Sequence, residues 1–424
     1  MNNPGSRMQA NQTFRAAASA GFGLIELIVG LVIGAVLLLG LSQVFSTSRN
    51  TYQASEGLAR AQENSRFAMD FLQRDVRMAG HMGCVNDIAH FLASPPELFS
   101  HFLDPNDRQP KVNAPVWANA PFDQQFNVAI EGYEATGTTP GNTLNLSGYT
   151  DPLGSGAMGA ASDWSPSLPA ALSTAIVGSG AGKVVKGSDI IVLRFFGSTS
   201  APVTNINLAT GAITVPVAPT NFATLIKANS LYGIADCTKA SVFQASTAPN
   251  AGGTFTTTTA TPLNLSGFLG GENYVAKELH LYTAQTYVYY IGMGAGGGPS
   301  LYRLNFSSGA GVPEELVEGI ENMQLLYGRD TNAGNPDGAI DIYQTATDIN
   351  KLATADPNVL WAAWRRVGAV RVSFLSRSVD RAATNAAVVS PSVLNVSITP
   401  PANDSRVRQV YTSTIALRNR LFGN

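Results

Sequence analysis

The chain has 424 residues, 45% of them hydrophobic and only 13% charged, and a formal net charge of −2. That length holds two or three domains, or one large elaborated one. Charges so sparse and balanced exclude a broad field of either sign, and with it nucleic acid as a direct partner.

Residues 1–21 are polar and small, with no helical period and no apolar core of their own. They read as a leader removed before function. At Gly21-Phe22 the pattern changes, and the apolar run from Phe22 to Phe45 carries a single charge, Glu26. Some 20 apolar residues suffice to cross a bilayer as a helix. A carboxylate at the bilayer centre costs about 2.5–3.5 kcal/mol, which marks Glu26 as a functional residue. Arg7 and Arg15 precede the run and no acidic residue does, so the N-terminus stays cytoplasmic and the remainder is sent outward. A Sec-type signal would place its cleavage site after a shorter apolar core. An uncleaved anchor is the plain alternative, and for Glu26 the plain alternative is a carboxylate snorkelling to the headgroups.

No proline interrupts Phe22–Ala79, which predicts one helix of about 58 residues, roughly 87 Å at 1.5 Å per residue. Gly30 and Gly34 form a small-xxx-small pair that lets another helix approach. Beyond Phe45 the chain turns polar but keeps helical spacing. Leu58, Ala61, Ala68, Leu72, Val76 and Ala79 make an apolar stripe, with Phe67 and Phe71 widening it. Glu56–Arg60 and Asp70–Arg74 are i,i+4 pairs in the favourable order. Gly80 and Gly83 supply the stop.

A basic leader, Gly21-Phe22, Glu26 at the fifth position of the new chain and a hydrophobic helix together resemble the class III signal of type IV prepilins and pseudopilins. The resemblance implies a prepilin peptidase that cuts after Gly21 and methylates the Phe22 amine. Glu26 would then meet the Phe22 ammonium of a neighbouring subunit, each charge offsetting part of the other's penalty in lipid. Arg74-Asp75-Val76-Arg77-Met78-Ala79-Gly80, leading into Gly83-Cys84, resembles the helix exit of PilW-type minor pilins. Gly187–Arg194, Glu318–Gly328 and Tyr411–Arg420 resemble the same type. Residues 95–180 resemble nothing that can be named. Major pilins commonly carry a proline in mid-membrane; here that region holds Gln43, which fits a minor component.

Cys84 and Cys237 are the two cysteines. Outside the inner membrane the compartment is oxidising, so a disulfide is expected, against the alternative of two buried thiols. Closing a loop of about 150 residues would contribute about 4–5 kcal/mol as an upper figure. His81 and Cys84 have a metal-like spacing but no second pair of soft ligands, so zinc is not expected.

Residues 81–271 are rich in Ala, Ser, Thr and Gly, and strand-like runs emerge at Phe126–Ala135, Ile190–Phe196, Ile206–Val217 and Leu231–Phe243. Gly178–Lys183 lacks the Walker spacing and reads as a hairpin turn rather than a phosphate loop. Residues 272–424 are the most regular. Tyr282–Met293 and Leu301–Phe306 read as strands joined by a Gly-rich turn, Leu316–Ile320 as a short helix, and Met323–Tyr327 as a strand. Val370–Phe374 and Tyr411–Leu417 alternate as half-buried antiparallel strands. The fold class expected is α+β: a long N-terminal helix, membrane-spanning over 22–45 and ending near residue 80, on a large antiparallel pilin-like head with an extended insertion.

Asp330, Asn332, Asp337 and Asp341 place oxygen ligands around glycines, a pattern that suits calcium. The EF-hand spacing and its terminal glutamate are missing, and an Asx-rich turn accounts for the same residues. Trp361 and Trp364 offer a sugar- or partner-binding surface, or else pack a short helix onto the sheet. No nucleophile, base or metal signature is present, so an enzyme is not expected. The resemblance implies a structural minor pilin that assembles with other minor pilins and the major pilin to prime or cap a type IV pilus. Adhesion, twitching motility and DNA uptake are its downstream roles and a tip adhesin a further partner. Its head would lie in the periplasm before assembly, with inner-membrane lipid around its helix, and on the cell surface after it. A type II secretion pseudopilin and a membrane-anchored, non-polymerising binding protein are the alternatives.

Overall fold

The computed structural model describes residues 23–85, 98–103, 120–150, 152–217, 222–259, 264–268, 272–275, 277–307, 311–332, 337–352, 363–381 and 390–420. Two compact units result, one ending at Tyr52 and one beginning at Gln53.

Helix α1 (Leu24–Met78) is continuous over 55 residues. Glu26 lies in its first turn and Arg77 in its last, each complementing the helix dipole. Gly80, at φ +80°, ends it in a conformation that L side chains rarely adopt. Ala61, Ala68, Leu72, Val76 and Ala79 of the predicted stripe are fully buried. Phe67 is not part of that stripe: it is half exposed, because it lies on the opposite side from Ala68 and Leu72.

The strands, in chain order, are β1 (Leu98–Ser100), β2 (Ile130–Ala135), β3 (Thr143–Asn145), β4 (Trp164–Ser165), β5 (Ile190–Pro202), β6 (Asn205–Asn207) and β7 (Ala212–Thr214). There follow β8 (Leu231–Ala235), β9 (Ala240–Gln244), β10 (Thr254–Thr256), β11 (His280–Met293), β12 (Pro299–Asn305) and β13 (Val312–Glu318). The chain closes with β14 (Ile320–Arg329), β15 (Ile342–Gln344), β16 (Val367–Arg377), β17 (Ser392–Val393), β18 (Val396–Thr399) and β19 (Arg408–Ala416).

A nine-stranded sheet runs β1-β9-β8-β11-β5-β2-β4, with β12 also on β11 and β13 on β12. A four-stranded sheet runs β15-β14-β16-β19. Two small sheets, β10-β7-β6 and β17-β18-β3, complete the head. Pairing is antiparallel except for β1 with β9 and β3 with β18. Strands from either side of residue 271 share the large sheet, since β11 pairs with both β5 and β8. One core joins Met69, Leu72 and Val76 of α1 to Ile191 and Tyr289 of the large sheet and to Val370, Phe374 and Ile415 of the four-stranded one. The molecule is α+β, as its patterning predicts.

Four local expectations are corrected. Leu316–Ile320 is not a helix: β13 runs into β14 through Gly319, at φ +76°, and pairs with β12. Phe126–Ala135 is a strand only from Ile130 onward, following a 3-10 turn at Phe122–Gln124. Ile206–Val217 and Leu231–Phe243 are hairpins rather than single strands. Asp236 makes the second turn, its Oδ1 accepting from the amides of Thr238 and Lys239. Gly178–Lys183 joins the helix Ala170–Ile176 to an isolated bridge at Val184, and Lys183 Nζ donates to the Ala175 carbonyl at that helix's end.

Candidate functional site: the apolar helix start and the foot of the helix

Within the first unit, Leu24–Phe45 presents only exposed large apolar side chains, Leu24 at 80% and Ile28 at 50% among them. Among the described residues α1 is the one helix long and apolar enough to cross a membrane. Glu26 turns its carboxylate back along the helix, and Oε2 accepts from the Gly23 amide at 3.1 Å. The charge is thereby held at the helix start, where unpaired N–H groups and the dipole favour an anion. Gly21 and Phe22 lie outside the described residues.

The second unit seats the other half of α1. Leu72, Val76 and Ala79 bury an apolar face, yet Asp75, only 4% exposed, sits within it. Its Oδ2 accepts from the Tyr289 hydroxyl at 2.5 Å and from Arg303 Nη1 at 3.1 Å, and its Oδ1 from Arg74 Nε at 3.2 Å. Burial, and then the Asp75 charge, push the Tyr289 hydroxyl well above its ordinary range. Burial is the largest influence on Arg303 and opposes its charge, but the bond to Glu314 together with Tyr289, Tyr287 and Asp75 outweighs it and raises the guanidinium. Arg74 thus turns to Asp75, while the Glu56–Arg60 pair forms at 2.7 Å. The signal that would have singled out Asp75 is its place in the stripe, three residues after Leu72.

Three of the four segments that resemble pilin sequence meet at the foot of the helix. In the exit segment, the Gly80 amide donates to the Arg194 carbonyl, and the Phe196 amide to the His81 carbonyl at 2.7 Å. Cys84 is joined to Cys237 with an S–S distance of 2.07 Å, which settles the cysteine alternatives and removes Cys84 as a metal ligand. A Cβ at Gly83 would lie 2.9 Å from the Tyr282 ring, so the exit passes too close to β11 for any other residue. Arg194, fully buried, donates to the Val128 and Phe122 carbonyls and to Glu131. Asn419 Nδ2 reaches the Arg77 carbonyl at 3.2 Å.

Gly187-Ser188-Asp189 and Asn322–Leu325 meet between the two large sheets. Asp189 Oδ1 accepts from the Ala135 amide at 2.9 Å, and Oδ2 from the Leu325 amide at 2.8 Å. Asn322 and Gln324 both donate to the Gly187 carbonyl. Burial pushes the Asp189 carboxyl well above its usual range, partly opposed by those amides. Tyr327 is likewise raised, by burial and then by the Asp189 charge. Next to this joint, Arg408 binds Glu321 in bidentate fashion at 2.6 and 3.0 Å and also pairs with Asp404.

The suggested calcium ligands behave differently. Asp330 Oδ1 accepts from the Asn332 amide, and Oδ2 from the amides of Asp337 and Gly338. Asp341 Oδ2 accepts from the Thr331 amide and hydroxyl. The first is an Asx-turn bond, and the others use the carboxylates to tie the two ends of the loop together. Among the described residues no group of three or more His, Cys, Asp or Glu could hold a metal ion. Trp364 is buried edge-on against Tyr327 at 4.9 Å and donates to Asn350, so it packs rather than binds; Trp361 lies outside the described residues. Neighbouring Arg365 donates to the Asn127 carbonyl, and burial pulls it down to about 10.

A membrane-length apolar helix whose second half is seated in a β-rich head, with a disulfide just past its end, is what the described residues establish. The family model of PilW, the Type IV Pilus-assembly protein W, matches residues 288–419, from β11 to the end of the head, and supports a PilW-type pilin. That family implies a role in type IV pilus assembly and suggests interaction with other pilus components. No curated protein and no solved structure matches the chain.

Proposed function

We propose that the chain is a minor pilin, made as a prepilin, that assembles with other minor pilins and the major pilin to prime or cap a type IV pilus. Prepilin peptidase cuts between Gly21 and Phe22 and methylates the new amine. The head stands in the periplasm while the helix lies in the inner membrane, and assembly carries both into the fibre, where a tip adhesin is a further neighbour. The observation that carries this reading is Glu26, the one charge in an exposed apolar helix, turned toward the residue next to Phe22. Once freed, the Phe22 ammonium of an adjoining subunit neutralises that carboxylate where water cannot. Pairing at one position sets the axial stagger between neighbours, and no catalysis is needed. The intact mass of the purified mature protein tests it: the expected species begins at N-methylated Phe22, and one still carrying Met1 would overturn it.

A further inference from the structure

We propose that the outer edge of β19 receives an extended segment of a different pilus subunit as an added strand; this rests on the assembly reading for the orientation of neighbouring helices. β19 is the last strand of the four-stranded sheet and pairs only with β16 among the described residues. The Leu417 amide donates to the Gly368 carbonyl and the Ser378 amide to the Val407 carbonyl. In antiparallel pairing the odd-numbered residues therefore bond to β16, and the even-numbered ones turn their amides and carbonyls away from it. Thr412, Thr414 and Ala416 are exposed, and their outward backbone groups meet no protein partner among the described residues.

Natural sheets guard such an edge with charge, proline, bulges or shortness. The other long edge has those guards: β13 carries Pro313 and three glutamates. β19 is nine residues long, about 30 Å, and has no proline, no bulge and no charge from Gln409 to Ala416. A row of amides and carbonyls at strand spacing is matched only by another extended backbone. Two copies of this chain do not fit by antiparallel pairing. Antiparallel pairing of β19 with β19 turns about an axis perpendicular to the sheet. It would set the α1 segments packed on the two sheets in opposite directions, whereas helices assembled side by side from one membrane run parallel.

The test places the photocrosslinker p-benzoylphenylalanine at Thr412 or at Ala416 of the full chain in its own piliated cells, with adducts mapped in membrane and sheared-fibre fractions. Both positions should mark one segment of another pilus subunit, at sites about four residues apart, as a strand ladder requires. Thr414→Pro removes an outward amide only and should cut both adducts about tenfold with an unchanged melting temperature, while Ser413→Pro breaks the β16 ladder and lowers it. Several results would overturn the proposal: no adduct in either fraction, scattered adducts, adducts within the same chain or onto β19 of a second copy, or a folded Thr414→Pro chain with full yield. A chain present in fibres without adduct sinks the edge alone. A chain absent from fibres that still forms the adduct in the membrane sinks the assembly reading and leaves the edge standing.

Discussion

The two halves of α1 solve opposite problems. From Gly57 to Ala79 the helix finds every partner inside its own chain: an apolar core, a buried Asp75 with three donors, and a disulfide just beyond its end. From Leu24 to Phe45 it finds none, and its large apolar side chains stand exposed. Apolar surface on this scale must be covered by something, so the first half suits lipid and, in the proposed assembly, other helices, and the second suits the head. The contrast explains how one residue type plays two roles. Asp75 is paired within the chain and fixes the helix on the head, while in the proposed assembly Glu26 is left to a neighbour.

Substitutions should sharpen this contrast. The largest effect falls on the tether: replacing Cys84 and Cys237 together by serine should cost up to about 4–5 kcal/mol in denaturant unfolding of the head. Asp75→Ala removes the acceptor that Tyr289 and Arg303 share, leaving them the Phe71 carbonyl and Glu314, and should cost about 1–3 kcal/mol by the same measurement, with membrane insertion intact. Leu72→Ala should cost about 2–4 kcal/mol through a core cavity. Leu37→Ala, the same change in the exposed half, should leave head unfolding unmoved. Equal effects at Leu72 and Leu37 would erase the distinction between the halves.

The helix was legible because its determinants are local: no proline, a 3.6-residue stripe, and glycines at the exit. Much of the strand pattern was legible too, β11, β14 and β16 above all, since alternation and bounding glycines are also local signals. What failed were junctions decided by tertiary pairing. Val312–Ile320 carries a helix-like spacing of apolar and acidic residues, but pairing with β12 and the left-handed Gly319 make it two strands. The Asp236 turn that splits β8 from β9 had an Asx signal in Asp236-Cys237-Thr238, masked by the apolar runs on either side. The buried polar joints, Asp189 on Ala135 and Leu325 or Glu321 on Arg408, were invisible as such, because partners 50 to 140 residues apart have no common local pattern. Gly187–Arg194 and Glu318–Gly328, which carry Asp189, Glu321 and Leu325, each resemble pilin sequence, and the fold brings them together.

The central claim, that Glu26 awaits a charge from another chain, is tested most directly by Glu26→Leu, with the variant quantified in membranes and in sheared fibres. The account predicts a subunit that is cleaved and inserted normally, with a head of unchanged stability, and that falls about tenfold or more in the fibre fraction because a carboxylate–ammonium pair is lost in lipid. Recovery of that variant in fibres at the level of the unaltered chain would contradict it.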